Sequence, residues 1–291
     1  MILDPSSHGN LTKRKRFDLL FRMLCMVAAS LGVLILIIFL VKIVVDGMQN
    51  ISWKFITGEL SQRPAKTGLW PAIVGSLYVM FLTAIFAVPI GIAAAIYLEE
   101  FNRRKSRFVS IVQLNIANLS GVPSIVYGLL GWVMFVTFFH LKQSIIAGAL
   151  TMTLLILPTV IIVTQEALKA VPKSYREGSM ALGSTQWQSI RLQVLPNALS
   201  GILTGVILSI SRAIGETAPL IVVGAASYVS TLPKGLGDRY TVLPIKIFDW
   251  ANESKEAFHQ VAASAILVLM VGLLFINSFA IYFRARAKAR K

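Results

Sequence analysis

Long apolar runs separated by short polar or basic stretches organise the chain, at 23–45, 70–98, 109–139, 144–165, 198–226 and 259–283. A hydrocarbon core of about 30 Å takes about 20 residues of helix to cross, and each run is long enough. The pattern predicts an all-α membrane protein with six transmembrane helices. The third run is interrupted by "NLSGVPS" (118–124). The fourth contains Pro158, which a membrane helix tolerates where neighbours satisfy the freed carbonyl. No period of 20–50 residues repeats, which argues against a solenoid. The expected organisation is a tail over 1–22, a membrane domain over 23–283 and a basic tail over 284–291.

Composition supports the membrane class: 56% of the 291 residues are hydrophobic and only 14% charged, too little charge to cover a soluble surface. The net charge of +15 would point to nucleic acid in a soluble protein. Here the basic residues cluster between apolar runs and read as topology signals, so no nucleic-acid partner is expected. One set of connections, with both termini and the 166–197 loop, holds 18 Lys and Arg; the alternate set holds 8. That bias places both termini in the cytoplasm. Trp70 and Trp132 fall toward segment ends on the opposite side, as interfacial anchors do, and Lys42 reads as a snorkelling anchor. The run after "KRKR" (13–16), from Met23 to Val45, exceeds the roughly 7–15 residues of a signal-peptide core and reads as a retained helix. Cys25 is the single cysteine, so it forms no intrachain disulfide. His140 and His259 have no partner at metal-ligand spacing, and neither a metal nor a cofactor is expected.

Residues 174–199, "SYREGSMALGSTQWQSIRLQVLPNAL", form an amphipathic stretch in which Gly183 separates two short helical patterns. Tyr175, Met180, Ala181 and Leu182 are its apolar positions; Arg176, Glu177 and Gln186 are polar. A helix, a glycine turn and a second helix make a compact knob, either packed on the chain's own helices or inserted in a partner's groove. The text "EGSMALG", nine residues, then "QVLP" resembles the EAA motif of permeases of binding-protein-dependent ABC importers. Glu177, Gly183, Leu195 and Pro196 match it; Gly178 and Ser179 stand for its two alanines, and Gln193 replaces a usual apolar residue. The resemblance implies a type I importer permease fold whose knob is a coupling helix docking into an ATPase subunit. "GVPSIVYGL" (121–129), "SRAIGETAPL" (211–220) and "LPIKIFDW" (243–250) narrow it to the PstA-type permeases of bacterial phosphate importers. From segment two onward the likeness is continuous. It implies phosphate as substrate and, as partners, ATPase subunits, a second permease of the PstC type and an extracytoplasmic phosphate-binding protein. No G-x-x-x-x-G-K-[ST] occurs in the chain, so an ATPase motor is expected on a separate subunit.

The charges of segment five pose the sharpest question. On one continuous helix Gly201, Gly205, Ser209, Arg212 and Glu216 share a face, with the charges roughly 20–27 Å from the cytoplasmic start. A lone charge at depth costs at least about 2.5–3.5 kcal/mol, so the two either neutralise each other or face a water-filled path. In the second reading Arg212 offers a guanidinium fork to an anion and Glu216 holds it in place and limits how tightly the anion is kept. Ser209 and Ser124 line the same path. Pro123 makes the start of a helix whose free N–H groups favour anions, or else a simple kink. The 227–258 loop, with alternating apolar residues in "TVLPIKIFDW" (241–250), packs on the membrane face or a partner, or is plain surface. Alternatives of other kinds are a permease for molybdate or sulfate, a stand-alone carrier, which lacks support without internal repeats, and a membrane enzyme, for which no nucleophile–base pair is at hand.

Overall fold

The computed structural model describes residues 7–101, 106–225, 229 and 232–289. Three of the basic residues at 103–105 and the first loop residues after 225 therefore lie outside the described residues, as do 290 and 291 of the basic tail. Among the described residues there are only helices and connections, no strands. In chain order they are α1 (Ser7–Met48), α2 (Trp53–Thr57), α3 (Trp70–Ile96), α4 (Arg107–Ser120), α5 (Ser124–Gly131), α6 (Ile145–Lys169), α7 (Lys173–Ala181), α8 (Gln186–Ser189), α9 (Leu195–Ile214), α10 (Ala218–Val223), α11 (Leu243–Ala251) and α12 (Glu256–Ala289). Wide π turns extend α3 to Phe101 and α5 to Phe138 and join α8 to α9.

Five of these helices are long and apolar enough to cross a membrane, and α4 with α5 makes the sixth as a pair bent by 104°. The bend falls on Gly121–Pro123. Pro disfavours helical backbone in the residue before it, so α4 ends at Ser120 and α5 starts afresh with Pro123 as its N-cap residue. The pair leaves α3 near Phe101 and reaches α6 at its first turn, at opposite faces of the bundle, so together it makes one crossing.

Small residues set the packing. Along α3, Ala72, Gly75, Val79, Thr83, Ala87, Gly91 and Ala95 are buried, a stripe at three- and four-residue steps that lets α6 approach closely. The Thr83 hydroxyl donates to Val79 O and to Ala149 O of α6, at 2.7 and 3.2 Å. α9 meets the other side of α6 through Gly205, whose added Cβ would stand 2.6 Å from Val163 Cβ. The glycine face predicted for this helix is therefore a helix–helix seam. α1 joins the bundle at its far end, where Ser264 of α12 donates to Gly47 O; most of its apolar surface is exposed.

Within the 241–250 stretch the chain turns into α11 at Leu243. Pro244 sits in its first turn, where the missing N–H costs nothing. Leu243, Ile245 and Trp250 are buried, and Trp250 packs with Phe55, Leu60, Leu69 and Phe258. The loop thus packs on the chain's own helices. On the same face Lys246 is buried between Asp249, at 3.5 Å, and the ring of Trp250. Burial pulls its pKa below the ordinary lysine value, with Asp249 acting in the opposite direction.

Candidate functional site

Two groups of polar residues stand out, one at mid-depth and one on the face where α3 and α6 end. The first lines a cavity of about 230 Å³. Its walls are the α4–α5 elbow (Leu119 to Ser124, with Tyr127), Leu155, Ile156 and Thr159 of α6, Ser209, Arg212 and Ala213 of α9, and Glu216. Thr159 stands 14 residues into α6, about 21 Å along its axis, with ten more to follow. Arg212, Glu216, Ser209 and Ser124, separated by up to 92 positions in sequence, therefore share one cavity.

Their arrangement departs from the one-helix picture. α9 ends at Ile214, Gly215 caps it, and Glu216 lies in the two-residue break before α10. Pro219 does not interrupt a running helix; it occupies the first turn of α10, where proline is favoured. Among the described residues neither Arg212 nor Glu216 has an ion-pair partner, so the i, i+4 pair does not form. Arg212 is exposed to the cavity and Glu216 half-buried. Ser209 is buried and turned back on its own helix, donating to Gly205 O at 2.8 Å. Ser124 opens α5 with no side-chain cap, so the first-turn N–H groups, with their partial positive charge, border the cavity. Asn118 is not among the lining residues.

Two polar lining residues, Tyr127 and Thr159, were not singled out from sequence. Tyr127 donates its hydroxyl to Leu119 O at 2.8 Å and braces the elbow. Thr159 differs from Thr151 and Thr153 on the same helix, whose hydroxyls bond back to Ala147 O and Ala149 O; its hydroxyl has no partner among the described residues. The signal available was its place directly after Pro158 in an otherwise apolar run.

The second group is the predicted knob. α7 ends in a Schellman turn: Gly183 N–H donates to Met180 O and Ser184 N–H to Ser179 O. Gly183 has φ +85°, the left-handed backbone that glycine adopts without a Cβ penalty. Thr185 and Gln188 then form a capping box for α8. From Gln186 the helix runs unbroken to Ile214; the π turn before Leu195 widens the backbone where the ring of Pro196 crowds it. Glu177 and Gly178 are exposed, Ser179 is half-buried, and nothing lies within 4 Å of a Cβ added at Gly178. Tyr175, Trp187 and Leu192 are exposed, and Leu182 is 90% exposed. Gln193, where the motif is usually apolar, faces outward.

Arg176, expected on the polar surface of this stretch, is instead buried. Its Nε donates to both carboxylate oxygens of Glu100, at 3.1 and 3.0 Å, and Nη2 reaches Oε1 at 2.5 Å. Nη1 donates to Val171 O and Nη2 to Leu168 O, both at 2.8 Å. Gln186 donates to Glu100 O at 2.6 Å, and Trp187 stacks on Phe101 with ring centroids 6.4 Å apart. The partner lies 76 residues away in sequence, which is why no local pattern revealed it.

No group of three or more His, Cys, Asp or Glu able to hold a metal occurs among the described residues. His140 is exposed, and His259 meets the carbonyl of Glu253.

A crossing bundle with a mid-depth polar cavity and an exposed apolar knob on one face defines a membrane transport subunit. The chain is similar in fold to a bacterial ABC transporter that imports the acidic polysaccharide alginate (TM-score 0.68, 14% identity, 95% of this chain and 99% of that one). It is also similar to the MetNI methionine ABC transporter (TM-score 0.61, 16% identity, 76% and 94%). Both share the type I importer permease fold. Residues 87–289 match the family "Binding-protein-dependent transport system inner membrane component", and the chain belongs to it. It is therefore a multi-pass inner-membrane transport subunit rather than an enzyme, and its family works with a substrate-binding protein and an ATPase. Among relatives, the "Phosphate transport system permease protein PstA" of Mycobacterium leprae is 37% identical over 227 residues, 77% of this chain and 72% of the relative. The protein of the same name from Pasteurella multocida is 30% identical over 282 residues, 94% and 97%. The "Probable ABC transporter permease protein YqgI" of Bacillus subtilis is 34% identical over 179 residues, 62% and 60%.

Proposed function

We propose that this chain is the transmembrane permease subunit of an ATP-driven importer that carries inorganic phosphate across the inner membrane. The observation that carries the reading is the exposed, unpaired Arg212 in a mid-depth cavity, in a chain similar over 94% of its length to a protein named as a phosphate permease. A guanidinium at depth is costly without a partner; a passing oxyanion supplies one, and the fork matches two of its oxygens. The first turn of α5 and the Ser124 hydroxyl add neutral donors along the same path. Ser209 keeps the α9 wall thin enough for α6 to approach. Glu216, on the break rather than on the helix, repels a fully seated anion and so favours release over capture.

The knob is the coupling device. Its exposed Tyr175 and Leu182, with open space over Gly178, form the surface presented to an ATPase on a separate chain. Glu177, Ser179 and Gly183 shape that surface, and Leu195 with Pro196 lies on the continuous helix that carries its movement to Arg212. A second permease of the PstC type completes the path, a phosphate-binding protein delivers the anion from outside, and lipid covers α1. Both termini and the knob lie in the cytoplasm, with the membrane domain over 23–283 and the basic tails beyond it. In a Cys25→Ser background, a cysteine at Ser184 is expected to be labelled only from the cytoplasm and one at Gly237 only from outside.

The test is uptake of radiolabelled phosphate, sulfate and molybdate by cells that lack other carriers for these anions, normalised to membrane protein. Binding-protein-dependent uptake of phosphate alone is expected. Uptake of sulfate or molybdate without phosphate would transfer the assignment to that anion.

A further inference from the structure

The buried contact between Arg176 and Glu100 has no part in an anion path and does not face the docking surface. We infer that Arg176 and Glu100 are positioning residues that brace the short joint between α6 and the knob against the tip of α3, so that movement of the docked ATPase is passed to α6 rather than absorbed by that joint. This rests on the knob being the ATPase docking element.

The argument starts from the donors. A guanidinium has five N–H groups in a rigid fork, and here they serve three elements at once: the carboxylate at the tip of α3, and the carbonyls of Leu168 and Val171 at the end of α6, from a side chain on α7. Leu168 O also accepts from the Val171 N–H at 3.2 Å, so Arg176 reinforces the turn by which the chain leaves α6. Gln186 and Trp187 add contacts from α8 to the same α3 tip. An apolar contact of equal size would hold the knob as firmly but let it slide, since burying an ion pair seldom stabilises more than packed apolar side chains do. What the charged fork adds is direction.

That direction matters because of what the elements carry. α3 and α6 are locked along their length by the small-residue stripe and the Thr83 bridge. α6 supplies Leu155, Ile156 and Thr159 to the cavity, and the continuous helix from Gln186 supplies Arg212 to its other wall. The chain itself thus joins the knob to both walls, to α9 through the continuous helix and to α6 through residues 170–172, and Arg176 with Glu100 braces that second, three-residue joint against the tip of α3. With the brace removed the joint can flex, and a docked ATPase moves the α6 wall less than the α9 wall.

The experiment uses the whole complex in proteoliposomes with its binding protein and phosphate, measuring ATP hydrolysed per phosphate imported for Glu100→Gln and Arg176→Lys. We expect the ATPase to remain bound and hydrolysis to persist within about threefold, while import falls at least tenfold and the ratio rises accordingly. The conservative Glu100→Asp should recover part of the import. Import and hydrolysis falling together at constant ratio would overturn the inference, as would a wild-type ratio. Loss of the assembled complex in all three variants would assign the pair a purely structural role and overturn it too. A wild-type complex that imports another anion and not phosphate would undo the substrate assignment alone, and the ratio would be read with that anion.

Discussion

The chain contains two arginine–glutamate sets, and they behave in opposite ways. Arg212 and Glu216 are four residues apart, stand at mid-depth, and do not pair. Arg176 and Glu100 are 76 residues apart, sit at the end of the bundle, and are engaged, with all three nitrogens of the guanidinium donating. A pair that satisfies itself joins parts of the protein to one another; a cation left open beside a cavity is available to something that passes. Proximity in sequence gave the reverse expectation, because it assumes that one helix continues through both residues.

The contrast predicts very different costs for removing each arginine. Arg176→Ala leaves Glu100 buried and unpaired, which should cost about 3–5 kcal/mol in thermal unfolding of the purified protein. Arg212→Ala should stay within about 0.5 kcal/mol of wild type in the same thermal-unfolding measurement on purified protein. Equal losses would erase the distinction.

Activity should rank the other way. Arg212→Gln removes a charged hydrogen-bond partner worth about 1.5–3 kcal/mol, so phosphate uptake should drop roughly 10–100-fold at normal protein level. Arg212→Lys keeps the charge without the fork and should fall in between. Wild-type uptake by Arg212→Gln would return the residue to mere packing.

A smaller effect concerns the knob. Gly183→Val forces a β-branched residue into the left-handed region at about 1–2 kcal/mol, while Gly183→Asn is tolerated better. Co-purification of the ATPase should fall with Val and survive with Asn; no difference between them would mean that the turn does not shape the docking surface. Smallest of all is the expected coupling between Arg212 and Glu216. A double-mutant cycle with Arg212→Ala and Glu216→Ala, read by unfolding, should give under about 0.5 kcal/mol, and a value above 1.5 would restore the pair.

Much of the fold was legible because solvent imposes it. Runs of twenty apolar residues leave little choice but helices, and "NLSGVPS" marked the elbow between α4 and α5. The knob was legible because Gly183, Thr185 and Pro196 are local signals with local consequences. The break at Gly215–Thr217 was hidden, since Arg212 to Leu220 carries a helix-compatible spacing and Pro219 suits a kink as well as a fresh start. The partner of Arg176 was hidden for a different reason: an amphipathic period shows which face is polar, and not that one polar residue of that face turns inward to a distant carboxylate. Thr159 was passed over because a lone threonine in an apolar helix usually bonds its own backbone, as Thr151 and Thr153 do.

The elbow also bears on how the chain enters the membrane in the first place. α4 alone holds Arg107, Gln113, Asn115 and Asn118 in 14 residues, too short and too polar to partition into lipid unaided. The turn at Gly121–Pro123 leaves backbone groups that hydrocarbon does not solvate. During synthesis this crossing must wait beside the translocation machinery until α6 emerges to cover it, and α6 in turn arrives only after α3 is in place to receive it. Biogenesis is therefore ordered by the packing that later holds the cavity walls together, and a chain cut between Phe138 and Ile145 should leave α4 and α5 outside the bilayer although α1 and α3 have inserted.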